Sequence, residues 1–292
     1  MVLVLGGPTS AGKTTAALRV AAAFDAVIVS ADAMQVYRGL DVGTGKATAA
    51  EQAAAPHFGL DVIGLDGRFD AAGFVALADG VLSTHPRVIV VGGTSLYLRA
   101  FLQGLVPTPP VDPALRSSLE ALESPWEALQ AVDPVLAARL HRHDRVRIVR
   151  GLEVFRQTGE QLSALQEAHA RQPPRVPHVA MWLDQEDLQA RIDARVLAMV
   201  DAGYVQETRA ALRDHPRDCA PLRAFAYRHL VAHILDDLPL DAAVSQTQRD
   251  TRRFARKQRT WMRGLGFPRF EGADIEPALL EAASRAFGCP AR

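Results

Sequence analysis

The chain opens on MVLVLGGPTSAGKTTAALRVAAAF, and this stretch limits the possible folds more than any other. Val2–Leu5 is a short, unbroken apolar run closed by Gly6-Gly7, the pattern of a strand buried on both faces. Thr14–Phe24 is rich in alanine and reads as a helix. Between them, Gly7-x-x-x-x-Gly12-Lys13-Thr14 has the spacing of a phosphate-binding loop. Strand, glycine turn and helix in that order are the context that makes the motif specific. The cradle would run over Gly7, Pro8, Thr9, Ser10, Ala11, Gly12, Lys13, Thr14 and Thr15. Backbone N–H groups and the positive end of the helix converge on phosphate oxygens there. Lys13 adds a point charge, and the Thr14 hydroxyl suits a magnesium ion. Such a loop recognises a diphosphate and is indifferent to what hangs from it.

Further strands follow the same style. Ala26–Ser30 and Arg87–Val91 are continuous apolar runs, Leu60–Leu65 is a weaker one, and Val179–Leu183 is a fifth. Buried strands separated by helical segments predict an α/β fold with a parallel sheet covered on both faces. The order breaks at the proline-rich Val106–Pro113 and resumes after Gln172–Pro177. The block between reads as helices over Ala114–Leu122, Trp126–Val132, Pro134–Leu140, Val146–Gln157 and Glu160–Arg171. The expected architecture is a P-loop NTPase-like core, residues 1–115 and 175–292, with an all-helical domain inserted at 116–174. From Asp187 the chain returns to helices through about Gly264, and the tail from Phe267 holds a short helix at best.

An ordinary P-loop NTPase holds magnesium with a second acid at the end of a core strand. Here the matching strand ends in Gly92-Gly93-Thr94, with no acid. The acid follows strand two, as Asp32 in VSADAMQVYRGLDVGTGK. At the C-terminal edge of a parallel sheet it would face the same crevice as the loop. That argues against ATP hydrolysis and for a chemical role of Asp32 beside the diphosphate.

The net charge is zero, so any nucleic-acid surface must come from local clustering. Only Lys13, Lys46 and Lys257 of the 33 basic residues are lysine, which reads as an arginine-favouring composition rather than a signal. Two clusters nonetheless stand out. RDTRRFARKQRTWMR, Arg249–Arg263, carries seven basic residues against Asp250, with the arginines on one broad helical stripe and Phe254 and Trp261 on another. RLHRHDRVRIVR, Arg139–Arg150, holds Arg147 and Arg150 within the helical block. A solvated charged face is the plainer reading of either run alone. His141 and His143 read as surface groups or phosphate neighbours, and Trp126 and Trp182 as core. Cys219 and Cys289 stand in no metal-ligand spacing. No run approaches a membrane span, the N-terminus has no signal-peptide pattern, and a cytoplasmic location is expected. No interface is marked, and a monomer is expected.

Five segments in order, GPTSAGKT, SADAMQVYRGLDVGTGK, VGGTSLYLRAFLQGL, LRAFAYRH and RRFARKQRTWMRG, together resemble the tRNA dimethylallyltransferase family. The resemblance runs in register over essentially the whole chain. It implies transfer of a dimethylallyl group from its diphosphate to N6 of the adenosine 3′ of the anticodon, at position 37 of tRNA, with Mg2+ and release of diphosphate. It implies a helical insertion that grips the anticodon stem-loop. By the match, Asp32 is the base that takes the amine proton, whereas from the residues alone it also reads as a helix N-cap or as a magnesium partner through water. Lys13, Thr14 and Arg223 would stabilise the leaving diphosphate, with Arg228 a second basic contact. Thr9 would bond the diphosphate or the base. Asp32, Ala33, Met34 and Gln35 form the segment that meets the target adenine, and Thr94 and Arg116 match tRNA contacts of the family. Arg147, Arg150, Arg256, Lys257, Arg259 and Arg263 complete the expected RNA surface. Three rivals remain at this point: a P-loop small-molecule kinase, an adenylate isopentenyltransferase acting on free nucleotides, and a regulatory RNA-binding protein with a vestigial loop. A nucleotide in the loop is left open.

Overall fold

A computed structural model describes residues 1–288. In chain order the elements are β1 Val2–Gly6, α1 Lys13–Phe24, β2 Val27–Ser30, α2 Ala49–Ala54, β3 His57–Phe58, α3 Ala71–Thr84, β4 Val88–Gly92 and α4 Ser95–Gln103. Five helices follow without a strand: α5 Pro113–Glu120, α6 Pro125–Val132, α7 Pro134–Arg139, α8 Arg145–Thr158 and α9 Leu162–Ala170. The chain then gives β5 His178–Asp184, α10 Leu188–Asp201, α11 Tyr204–Asp214, α12 Ala220–Arg223, α13 Arg228–Leu235, α14 Leu240–Gly264, β6 Arg269–Glu271 and α15 Ile275–Phe287. Two units result, one of residues 1–102 with 176–292 and one of residues 103–175.

The first unit is built on six parallel strands in the order β3-β2-β4-β1-β5-β6. Every residue of β1, β2 and β4 is buried. Period two sends Leu3, Leu5, Ile28 and Ile89 to one face, against α1 and α15. It sends Val2, Val4, Val29 and Val90 to the other, against α3 and α4. This is why the runs carry no polar alternation. Alanines at 16, 17 and 21 let α1 lie close on the sheet. The parallel strands all end at one edge, where the loops after β1, β2 and β4 meet.

Two expectations fail. Leu60–Leu65 is not a strand: only Ile63 makes an isolated bridge, to Tyr37. Positive φ at Gly59 and Asp61 breaks any extended run, and the edge strand lies earlier, at His57–Phe58. The tail exceeds a short helix. Arg269–Glu271 extends the sheet beside β5, and Leu279, Ala282, Ala283 and Ala286 of α15 bury against the core. Cys289 lies outside the described residues. Among the described residues no helix is long and apolar enough to cross a membrane, and no group of acids, histidines or cysteines stands ready to hold a metal ion.

The second unit packs Leu129, Leu136, Ile148, Val149 and Leu152 into a core of its own. Glu153 lies fully buried there, 0% exposed, and binds both Arg116 (3.0 Å) and Arg150 (2.7 Å). It also accepts the Asp112 N–H at 3.1 Å. Glu153→Ala should therefore destabilise this unit by about 3 kcal/mol, because two partly buried guanidiniums lose their counter-charge. Urea unfolding followed by hydrogen exchange over residues 103–175 checks this; unchanged protection contradicts it.

Candidate active site

The phosphate loop needs its glycines. Gly7 sits at φ 145°, and a Cβ there would overlap the Leu183 carbonyl oxygen. Gly12, at φ 86°, caps α1 and offers no side chain to the first-turn amides, which stay available to a ligand. Ser10 holds a left-handed backbone at φ 64°. Its hydroxyl is buried and has no hydrogen-bond partner. An orphaned polar atom inside a phosphate loop marks where an anion's oxygen belongs. Lys13 Nζ donates to Pro8 O at 2.7 Å, folding the ammonium over the loop. Burial foremost, then the nearby Arg195, lowers its pKa to about 8, while Asp32 opposes the shift.

The loop opens on a cavity of about 470 Å³ lined by Ser10, Gly12, Lys13, Thr14, Thr15, Gly45, Glu51, Arg191, Ala194 and Arg195. Arg195, on α10, donates to Thr9 Oγ1 at 3.3 Å and to Gly45 O at 3.5 Å. Burial lowers its pKa too, and Asp32 again pushes back. So two partly buried cations line the cavity, and Asp32, past β2 at the same edge of the sheet, lies near enough to raise the pKa of both. β2 and β1 flank β4, which separates the two loops by roughly 10 Å at the strand ends.

Asp32 is half-buried, and its Oδ1 accepts the Met34 N–H at 2.8 Å and, more weakly, the Gln35 N–H at 3.4 Å. Among the described residues the second oxygen has no such partner. Thr94 ties this turn to β4: its Oγ1 accepts the Ala33 N–H at 3.1 Å, and its carbonyl opens α4. Gln35 is engaged within the protein, accepting from Ser30 Oγ at 2.8 Å and donating to Gly45 O at 3.2 Å. Reading an adenine edge would require it to exchange those bonds.

Against known proteins, a family profile described as IPP transferase matches residues 35–265. The chain is 44% identical over 273 residues to tRNA dimethylallyltransferase 1 of Syntrophotalea carbinolica, covering 89% of this chain and 87% of that protein. The chain belongs to the IPP transferase family. A second relative, tRNA dimethylallyltransferase 1 of Citrifermentans bemidjiense, is 42% identical over 270 residues, with 89% and 88% covered. Among solved structures, the tRNA delta(2)-isopentenylpyrophosphate transferase of Staphylococcus epidermidis has a TM-score of 0.71 at 25% identity, covering 97% of each chain. A eukaryotic dimethylallyltransferase acting on tRNA shares the fold, with a TM-score of 0.82 at 21% identity over 98% of this chain and 77% of that one.

The other cations singled out in this IPP transferase chain fall into two groups. Several are tied down internally. Arg259 spans Asp184, at 2.8 Å, and Gln185 O, so it anchors α14 to the end of β5. Arg252 pairs with Asp193. Arg228 pairs with the buried Asp250, which His229 also contacts at 2.9 Å. Arg116 and Arg150 clamp Glu153. Arg147 pairs with Asp144 at 2.5 Å but remains 70% exposed. Others are free: among the described residues Arg223, Arg256, Lys257 and Arg263 are exposed and form no ion pair. The aromatic stripe does not face inward. Ala243, Thr247, Ala255, Gln258 and Met262 form the inner face of α14, whereas Trp261 is 41% exposed beside Phe254. Trp182 is core, and Trp126 carries Arg142 over its ring at 4.1 Å.

Sequence reasoning missed Arg195. With nearly all cations arginine, one more in a helical segment carried no signal. Its spacing of four from Arg191, which also lines the cavity, was the one available clue.

Proposed function

We propose that the chain transfers a dimethylallyl group from dimethylallyl diphosphate to N6 of the adenosine 3′ of the anticodon in tRNA, in the cytoplasm. The observation that carries the reading is that Lys13 and Arg195 line one cavity with the orphaned Ser10 hydroxyl, while Asp32 follows β2 at the same sheet edge and opposes the lowering of both pKa values. Two cations and a loop of amides suit a diphosphate. A carboxylate near a diphosphate serves either to hold magnesium through water or to take a proton, and transfer to an amine calls for the second.

The diphosphate would lie in the Gly7–Thr15 loop on the first-turn amides of α1, with Lys13 and Arg195 against its oxygens. The half-buried Thr14 hydroxyl and the diphosphate itself fit a magnesium ion, since Mg2+ keeps several water and phosphate ligands. Bound there, it would neutralise charge on the leaving group. The adenine amine is a poor nucleophile, its lone pair delocalised into the ring. Asp32 accepts its proton as the C–N bond forms. The C–O bond breaks, its electron pair leaves with the diphosphate, and the two cations stabilise the charge that builds there. Arg223, exposed and without an ion pair, is available as a further cation to the substrates. The target base must leave its stack to reach this crevice, at a cost of a few kcal/mol.

The exposed cations of α14 supply the offsetting backbone contacts. Reversing Arg253, Arg256 and Arg263 to glutamate should weaken stem-loop binding and reduce the slope of log K against log salt by roughly two to three. An unchanged slope places the RNA surface elsewhere. The activity is tested by offering labelled dimethylallyl diphosphate and Mg2+ with an unmodified anticodon stem-loop beside free AMP. Label in the stem-loop supports the proposal; label in AMP alone would reassign the acceptor.

A further inference from the structure

One buried polar side chain has no part in the chemistry above, yet it touches both halves of the crevice. Gln258 lies on the inner face of α14 and is 3% exposed. Its Oε1 accepts the Thr9 N–H at 2.9 Å, and its Nε2 donates to Gly93 O at 3.0 Å. A carboxamide buried this deeply is retained only when both ends are satisfied, and here both partners are functional backbone. Thr9 is in the phosphate loop and receives Arg195. Gly93 precedes Thr94, whose hydroxyl receives the N–H of Ala33, next to Asp32. Gly93 has no room for a side chain, since a Cβ would overlap Gln258 Nε2.

We propose that Gln258 is a positioning residue: its carboxamide sets the spacing between the diphosphate loop and the Thr94–Asp32 segment. The inference rests on the prenyl-transfer reading for its kinetic consequence. A chain of single hydrogen bonds runs Arg195–Thr9–Gln258–Gly93 and on through Thr94 to Ala33. No apolar contact holds two backbone groups at a fixed distance as a donor and acceptor on one planar group do. The residue also lies next to Arg256 and Lys257, which face out from the same turn of α14. A misplacement of about 1 Å between donor and base is enough to cost up to 100-fold in rate.

The test uses the full chain and three variants. Gln258→Met keeps the volume and loses both bonds. It should bind the stem-loop within about twofold of wild type, bind inorganic pyrophosphate more weakly by calorimetry, and lose at least about tenfold in kcat. Gly93→Ala, which displaces the carboxamide without removing it, should behave alike. Gln258→Glu gives the signature that a merely space-filling residue would not. Ionised, it accepts from Thr9 but repels Gly93 O. Protonated, its hydroxyl donates to Gly93 O and its carbonyl still accepts from Thr9. Burial raises a carboxyl pKa, so the activity of this variant relative to wild type should climb as pH falls from about 8 to about 6. A ratio that stays constant with pH, or wild-type kcat in Gln258→Met, overturns the proposal. If the wild type moves label to no RNA, the functional reading fails. The pyrophosphate arm then still decides Gln258: weakened binding in Gln258→Met supports it and unchanged binding refutes it.

Discussion

Asp32→Ala is expected to bind the anticodon stem-loop with wild-type affinity and to lose prenyl transfer by about 10²–10⁴-fold, the range for a positioned general base. Asp32→Asn is the sharper variant. Its amide oxygen keeps the acceptor for the Met34 N–H, so the turn after β2 survives, but it cannot take a proton. Both variants remove the negative charge that now supports the protonated forms of Lys13 and Arg195. The two cations would then meet the diphosphate without that competing charge. Prenyl diphosphate should bind as tightly as in wild type or more tightly, while transfer collapses. Single-turnover transfer set beside calorimetric affinity separates these effects. Transfer by Asp32→Asn at the wild-type rate would remove Asp32 as the base.

Arg195 carries the second large effect. Its guanidinium is partly buried and already points at the loop through Thr9, so it is preorganised before any substrate arrives. Arg195→Ala should lower the transfer rate by about 10²–10³-fold, as for loss of one preset donor to a developing oxyanion, and should raise the Kd for prenyl diphosphate. Arg195→Lys should recover little, because one ammonium cannot span Thr9, Gly45 and a phosphate as a planar fork does. Arg223 offers the contrast. It has no ion pair to lose, so Arg223→Ala should leave the thermal stability unchanged and act only on kinetics. Rates and melting temperatures for the three variants check the ranking. An Arg195→Ala enzyme within twofold of wild type would contradict it.

The residues declared the core through local rules. A four-residue apolar run, two glycines and an alanine-rich helix admit few arrangements, and β1, the loop and α1 follow from them. The helical insertion was legible because proline both brackets it and starts three of its helices, at Pro113, Pro125 and Pro134. What stayed hidden depends on partners distant in sequence. β6 is three residues with an arginine and a glutamate, and only pairing with β5 makes it a strand. Its apolar content is too small to announce itself. Glu207 is another such case. Its carboxylate accepts the N–H groups of Asp41, Val42 and Gly43 at 2.6, 2.7 and 2.9 Å and the Tyr227 hydroxyl at 2.8 Å, fixing the loop that carries Gly45. A lone glutamate in a helix gives no warning of that. The basic run of α14 was readable as a charge pattern. Which arginines face water was not, because Asp184, Asp193 and Asp250 lie elsewhere in the chain or on its own inner face.

The central claim is that one crevice holds the diphosphate and the base together. The most direct measurement is a crystal structure with a non-hydrolysable thio-analogue of dimethylallyl diphosphate, Mg2+ and an anticodon stem-loop. The diphosphate is expected in the Gly7–Thr15 loop, on the first-turn amides of α1 and against Lys13 and Arg195, with the adenine N6 about 3 Å from Asp32. A diphosphate bound away from that loop, or an amine beyond reach of Asp32 with another residue at hydrogen-bond distance, would contradict it.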